Sequence, residues 1–160
     1  MRLVLQRVSE ARVEVEGRTV GEIGRGLLVL VGAESGDTAA QAEEAARRVV
    51  GLRIFEDAAG KMNLAIGDVG GAILAVSQFT LVADLSRGRR PGFEKALGPE
   101  AAKPVYEHFC AAAEIAGVRV ERGTFGAYMK VSLVNQGPAT FVVDVKAHGD
   151  VRPGTLGVRG

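Results

Sequence analysis

One cysteine, two histidines and no tryptophan occur among the 160 residues. A single thiol, Cys110, cannot form an internal disulfide, and with only His108 and His148 beside it a zinc site would have to be completed by carboxylates. Neither a metal nor a cofactor is expected. Charge of one sign is equally scarce: the net charge of +1 gives no global electropositive field, so contact with nucleic acid would have to rest on a local patch. No apolar run approaches the roughly 20 residues of a membrane span. The start, Met1-Arg2-Leu3-Val4-Leu5-Gln6-Arg7, alternates like a strand and lacks a signal-peptide apolar region, which makes cytoplasm the expected compartment. Several chemistries are missing as well. There is no Gly-x-Ser-x-Gly elbow, no Walker phosphate loop, no His-Glu-x-x-His and no Cys-x-x-Cys.

What is present reads as one domain of ordinary apolar and charged content. Arg2 to Val8 and Ala11 to Glu16 are expected strands, followed by a turn at Glu16-Gly17-Arg18 and a short strand around Val20 to Ile23. Gly21-Glu22-Ile23-Gly24-Arg25-Gly26 carries the glycines of a dinucleotide fingerprint in reversed spacing with a strand after it, and is read as a hairpin turn. Leu27-Leu28-Val29-Leu30-Val31 is apolar at every position, as a strand covered on both faces requires.

Asp37 or Thr38 can cap a helix to about Leu52, with Gln41 completing a capping box behind Thr38 and Arg47 and Arg48 near the negative end of the dipole. Turns are expected at residues 56–61 and 68–71. Ala72 to Val76 is expected to continue as a strand through Ser77-Gln78-Phe79-Thr80-Leu81-Val82. A second helix runs from near Pro99 to Ala116 and stops at Gly117. Cys110, beside Tyr106 and Ala113 on that helix, reads as a small buried hydrophobe, and His108 points elsewhere. Strands from Val118 to Glu121, Tyr128 to Val134 and Phe141 to Val145 complete a domain over residues 1–145; the tail 146–160 has no periodicity and is expected to be disordered. The order of elements predicts a mixed α/β domain of mostly antiparallel strands, a barrel or a pair of sheets carrying two main helices.

Two segments can carry chemistry. Along a strand, Ser77 and Phe79 would share one face and Gln78 and Thr80 the other, bringing two hydroxyls and an amide to a strand end. Asn135-Gln136-Gly137-Pro138-Ala139-Thr140 interrupts strand-forming residues with a step whose glycine has unusual dihedral freedom and whose proline permits a cis bond, so it can aim bare carbonyls outward. Each segment alone also reads plainly, as a strand end and as a connecting turn.

Together they resemble the D-aminoacyl-tRNA deacylase family, whose signatures are Ser-Gln-Phe-Thr-Leu and Asn-x-Gly-Pro-x-Thr. Both occur in family order, at residues 77–81 and 135–140. The resemblance extends through Gln6-Arg7-Val8, Gly26-Leu27-Leu28-Val29-Leu30, Arg53-Ile54-Phe55, Gly60-Lys61-Met62-Asn63-Leu64, Arg90-Pro91 and Met129-Lys130-Val131-Ser132-Leu133-Val134-Asn135. Ala139 departs from it, standing where the family often has valine.

The resemblance implies hydrolysis of the ester joining a D-amino acid to the 3′ adenosine of tRNA. Ser77, Gln78, Phe79 and Thr80 would form the catalytic segment, with backbone N–H groups of Gln78, Phe79 and Thr80 near the substrate carbonyl. An unassisted Thr80 hydroxyl is a poor nucleophile and is read as a bystander. Gly137 and Pro138, with Asn135 and Met129, would form a chiral filter that excludes L side chains and admits glycine, so that glycyl-tRNA, including tRNA-Ala charged with glycine, is an expected substrate. In the family this step enters the active site of the other subunit, which implies a homodimer. Arg87, Arg89 and Arg90, with Lys95, make the one local basic patch and are either a phosphate-binding surface for tRNA or a solvated loop. Competing readings are a tRNA-end or nucleotide binding module without turnover, and a general esterase or peptidase.

Overall fold

The computed structural model describes residues 1–147. Its chain order is β1 (Arg2–Val15), β2 (Arg18–Ile23), β3 (Gly26–Gly32), α1 (Ala39–Gly51), β4 (Phe55–Glu56), β5 (Met62–Leu64), β6 (Ala72–Ser77), a 3₁₀ turn (Phe79–Val82), α2 (Pro99–Ile115), β7 (Arg119–Arg122) and β8 (Lys130–Asp144). The tail expected from residue 146 lies, apart from its first two residues, outside the described residues, as does His148.

β1 organises the sheet. β8 runs antiparallel along one edge of it; β3 and β2 share the other edge, β3 pairing Arg2 to Val8 and β2 pairing Ala11 to Val15. β6 then adds parallel to β3, and β7 parallel to β6. The Gly24-Arg25 connection is therefore not the expected hairpin turn. It joins two consecutive partners of the same edge, and the hairpin proper is at Glu16-Gly17. The curl brings β2 round toward β7, where a Cβ on Gly21 would lie 2.5 Å from the Arg122 carbonyl. Only a glycine permits that approach, and the sheet becomes a nearly closed barrel.

The two strands expected at 2–8 and 11–16 are a single strand. Leu3 and Leu5 pack in the layer beneath the helices, whereas Val8, Ala11 and Val13 pack on the inner face of the curl. The phase of alternation changes across Ser9-Glu10, where the register with β8 shifts; a bulge reads in sequence as a gap between strands. Similarly, the strands expected at 128–134 and 141–145 are one strand, β8, whose register jumps from Val8 opposite Asn135 to Gln6 opposite Thr140.

Two cores result. α1 and α2 cover one face of the sheet, where Leu27, Val29, Ile73 and Ala75 meet Ala42, Ala45, Val49, Phe109 and Cys110. Inside the curl lie Leu28, Leu74 and Val76 with Val8, Ala11, Val13 and Ile23. The unbroken apolar run of β3 is thus accounted for, since both faces are buried. Burial of a side chain such as Phe55 or Phe109, each about 1 % exposed or less, is worth roughly 1.5–3 kcal/mol. α1 starts with the expected capping box of Thr38 and Gln41, and α2 begins with Pro99 in its first turn and ends before Gly117.

Candidate active site

β6 ends where its ladder ends. Ser77 pairs with Val31, the next residue of β3 is its last, and the Gln78 N–H makes one further bond to the Val31 carbonyl at 2.8 Å. Beyond that point no strand remains to accept Phe79 or Thr80. The chain closes instead into the 3₁₀ turn, with Leu81 N–H donating to the Gln78 carbonyl at 3.2 Å. The expected continuation of the strand to Val82, and with it the alternating faces of residues 77–80, is replaced by this turn. A tertiary cause overrides the strand propensity of Phe-Thr-Leu-Val.

The turn has a chemical consequence. The first N–H groups of a helical turn have no partner within it. Gln78 N–H is engaged by Val31, but among the described residues neither Phe79 N–H nor Thr80 N–H finds an acceptor. Two adjacent donors are left free at a strand end. The Thr80 hydroxyl accepts a hydrogen bond from the Gln78 side-chain amide, and among the described residues no histidine or carboxylate bonds it.

Phe79, the first of the two, borders a cavity of about 570 Å³ lined also by Ser77, Gln78 and Met129, together with apolar and aromatic residues that the sequence did not single out: Phe93, Tyr106, Phe125 and Tyr128; Thr80 follows next in the chain and is not part of the lining. Tyr106 is buried and donates its hydroxyl to the Ala75 carbonyl at 2.8 Å, tying α2 to β6 just before the turn. Burial pushes the Tyr106 hydroxyl well above its usual range and raises the Cys110 thiol, so neither is an anion here. Cys110 is fully buried, and His108 on the same helix is exposed, in keeping with a packing role for the thiol.

Gly137 and Pro138 do not line this cavity. They sit on β8, both exposed, in a loop of residues 136–139 extruded opposite Arg7. The peptide bond between them is cis. Arg7 is only 7 % exposed, donating from Nε to the Gln136 carbonyl at 2.9 Å and from Nη1 to the Ile54 carbonyl at 2.7 Å. Asn135 closes the neck: its Oδ1 accepts the Ala139 N–H at 2.7 Å, and its Nδ2 faces the Thr140 hydroxyl at 3.0 Å and Gln6 Oε1 at 3.2 Å. Ala139 is buried in this neck. Gly137 adopts φ +146, and a Cβ there would meet Arg7 Nη2 at 2.8 Å and Ala139 N at 3.0 Å. Glycine is required on both counts.

Arg7 was the residue to find in advance. It follows Leu3 and Leu5 on the alternation of β1, and a charged side chain in a core-facing position is rarely there without a partner. Arg87, Arg89 and Arg90 are exposed on a loop closed by the paired backbones of Asp84 and Gly92. The loop does not line the cavity, but it leads directly into Phe93, whose ring meets Phe79 edge-on at 5.0 Å between centroids.

Comparison with known proteins bears on the chain as a whole. A family model described as D-Tyr-tRNA(Tyr) deacylase matches residues 4–144. A D-aminoacyl-tRNA deacylase of Geobacter sulfurreducens is 54 % identical over 147 residues, covering 92 % of this chain and 97 % of that protein. One of Geotalea uraniireducens is 55 % identical over 144 residues, covering 90 % and 93 %. Among solved structures, the c-Myc DNA unwinding element binding protein superposes with a TM-score of 0.86 at 37 % identity, covering 92 % of this chain and all of that one.

Proposed function

Since the chain belongs to the D-Tyr-tRNA(Tyr) deacylase family and is a hydrolase of D-aminoacyl-tRNA, we propose that it works by backbone chemistry at residues 77–80 and by steric exclusion at Gly137-Pro138. The observation that carries this reading is the pair of adjacent N–H groups on Phe79 and Thr80 without an acceptor among the described residues, the first of them on a residue that lines the cavity. An aminoacyl ester is already activated. Donors aimed at the oxyanion that develops on its carbonyl, with a water or the ribose 2′-hydroxyl held in line, are sufficient catalysis. The Thr80 hydroxyl is a bystander, because it is bonded by Gln78 and no base among the described residues bonds it to take its proton.

The terminal adenosine occupies the cavity, with Met129 and Tyr106 in its wall. Selection is by exclusion: Gly137 and Pro138 fill the space that an L side chain would enter, while a D side chain points to solvent and glycine passes, which extends the activity to glycyl-tRNA. Asn135 serves this filter by shaping its loop. The filter acts in a homodimer, the step of one protomer reaching the cavity of its partner. Its support is that Gly137 and Pro138 are exposed and stand outside the cavity of their own chain, flanked on β8 by the exposed apolar side chains Val134 and Val142. Residues 1–145 form the deacylase domain, Arg87, Arg89 and Arg90 hold tRNA phosphates, and the work is done in the cytoplasm, where tRNA is charged.

Ester loss from D-tyrosyl-tRNA and L-tyrosyl-tRNA, followed side by side, tests the proposal. Hydrolysis of the D ester with the L ester spared is expected; equal hydrolysis of both sinks the filter, and hydrolysis of neither favours a binding module without turnover.

A further inference from the structure

The chain has six phenylalanines and two tyrosines, of which three are exposed, and all three exposed rings line the same cavity. Phe79 is 58 % and Phe93 41 % exposed, and their rings brace each other. Tyr128 is 89 % exposed and stands on the separate segment before β8. It packs on no other aromatic ring among the described residues, whereas Tyr106 and Phe125 deeper in the wall pair with one another at 5.8 Å.

A ring so open cannot enclose what is inside the cavity. If the ester is to reach the N–H groups of Phe79 and Thr80, the terminal nucleoside must lie inside, and the group that next passes Tyr128 is the preceding nucleotide of the same strand. We propose that Tyr128 is a stacking platform for the unpaired nucleotide immediately upstream of the aminoacylated one, so that the enzyme grips two consecutive nucleotides of a single-stranded 3′ end. This rests on the deacylase reading of the cavity. An aromatic face accepts any base, which suits a protein that must serve tRNAs of different identity. Charge complementarity supports a nucleic-acid occupant: residues 84–95, which run through Phe93, carry Arg87, Arg89, Arg90 and Lys95, all exposed, against Glu94 and an Asp84 already bonded by Ser86.

The test compares the wild type with Tyr128→Ala and Tyr128→Phe in two assays. In the first, anisotropy of a fluorescent single-stranded oligonucleotide ending in CCA reports binding without turnover; Tyr128→Ala is expected to weaken it about tenfold, the size of one lost base–aromatic stack, and Tyr128→Phe by less than about twofold. In the second, the ratio of KM for D-aminoacyl-tRNA to KM for D-aminoacyl-adenosine, which lacks the upstream nucleotide, rises about tenfold in Tyr128→Ala and stays near the wild-type value in Tyr128→Phe. Equal losses on both substrates overturn the proposal, as does failure of phenylalanine to rescue. Conversion of Tyr128→Ala to a different oligomeric state on a sizing column also overturns it, because the ring is then a subunit contact. Tyrosine-dependent oligonucleotide binding by a wild type that hydrolyses neither substrate leaves the platform standing and removes the deacylase reading instead.

Discussion

The cavity after β6 and the extruded loop of β8 solve opposite problems. At residues 77–80 the backbone is left under-bonded: a parallel ladder stops, a 3₁₀ turn begins, and two N–H groups remain available. At residues 136–139 it is bonded heavily for an exposed loop, with Arg7 on the Gln136 carbonyl and Asn135 across the neck. A site that stabilises charge needs unsatisfied donors, and a site that excludes by shape needs atoms that do not yield. On the proposed function, the chemistry and the discrimination are lodged in separate pieces of main chain, each positioned by the end or the interruption of a ladder on the same sheet.

The comparison breaks most directly at the free donors. Phe79→Pro deletes one N–H at the first position of the 3₁₀ turn, where proline is tolerated, and Gln78 before it, at φ −145° and ψ 80°, lies outside the α region that a following proline disfavours. Set against Phe79→Ala, which removes the same ring and keeps the N–H, Phe79→Pro is expected to lower kcat by a further factor of about 10² to 10³, the typical worth of one oxyanion donor. Thr80→Ala keeps its N–H and loses only a hydroxyl, and a loss of less than about fivefold is expected. Single-turnover ester hydrolysis measures all three, and a collapse in Thr80→Ala with Phe79→Pro no worse than Phe79→Ala would move the chemistry to the hydroxyl.

The loop is tested at its anchor. Arg7→Ala strips two donors from the Gln136 and Ile54 carbonyls on a nearly buried site, at a cost to stability of about 1–3 kcal/mol. Discrimination should suffer more than turnover, because the ratio of D to L hydrolysis depends on the loop's shape and the Phe79 and Thr80 donors lie elsewhere. Chemical denaturation gives the stability, and hydrolysis of the paired tyrosyl-tRNA esters gives the ratio; an intact ratio in a folded Arg7→Ala would show that Asn135 alone holds the loop.

How much of this could be read in the chain differs between the two regions for a physical reason. Features set by neighbours in sequence were legible: the Thr38 and Gln41 capping box, the apolar run of β3, the stop of α2 before Gly117 and the Gly137-Pro138 step itself. Features set by where a distant ladder ends were not. Nothing within residues 72–82 signals that β3 ends at Gly32, and hence that strand-forming Phe79 to Val82 must turn. Nor does the pattern of β1 distinguish two strands from one strand with a bulge at Ser9-Glu10, since both shift the alternation by one residue. The aromatic wall of the cavity was missed because Phe93, Tyr106 and the pair Phe125 and Tyr128 come from three separate stretches of the chain.

The gentlest probe asks whether the loop depends on local grip or on the whole pairing of β1 with β8. Arg2 and Asp144, opposite each other at the far end of that ladder, form a two-pronged ion pair with Nε to Oδ1 at 2.9 Å and Nη2 to Oδ2 at 3.2 Å. The hydrogen bond from Arg2 lowers the Asp144 pKa below its ordinary value. A depressed carboxylate contributes stability above its unfolded value of about 3.9 and loses it as the pH falls through the folded one. Both side chains are about two-fifths exposed, so screening limits the contribution to under about 1 kcal/mol. Asp144→Asn is therefore expected to lower Tm at pH 7 by no more than about 4 °C. The gap to the wild type should shrink as the pH drops below about 4, and should also shrink in high salt. The ratio of D to L hydrolysis should be unmoved. A ratio that falls as far as in Arg7→Ala would mean that the extruded loop is held by the full length of the strand pair, and that the contrast between a locally gripped filter and a locally freed catalytic turn is drawn in the wrong place.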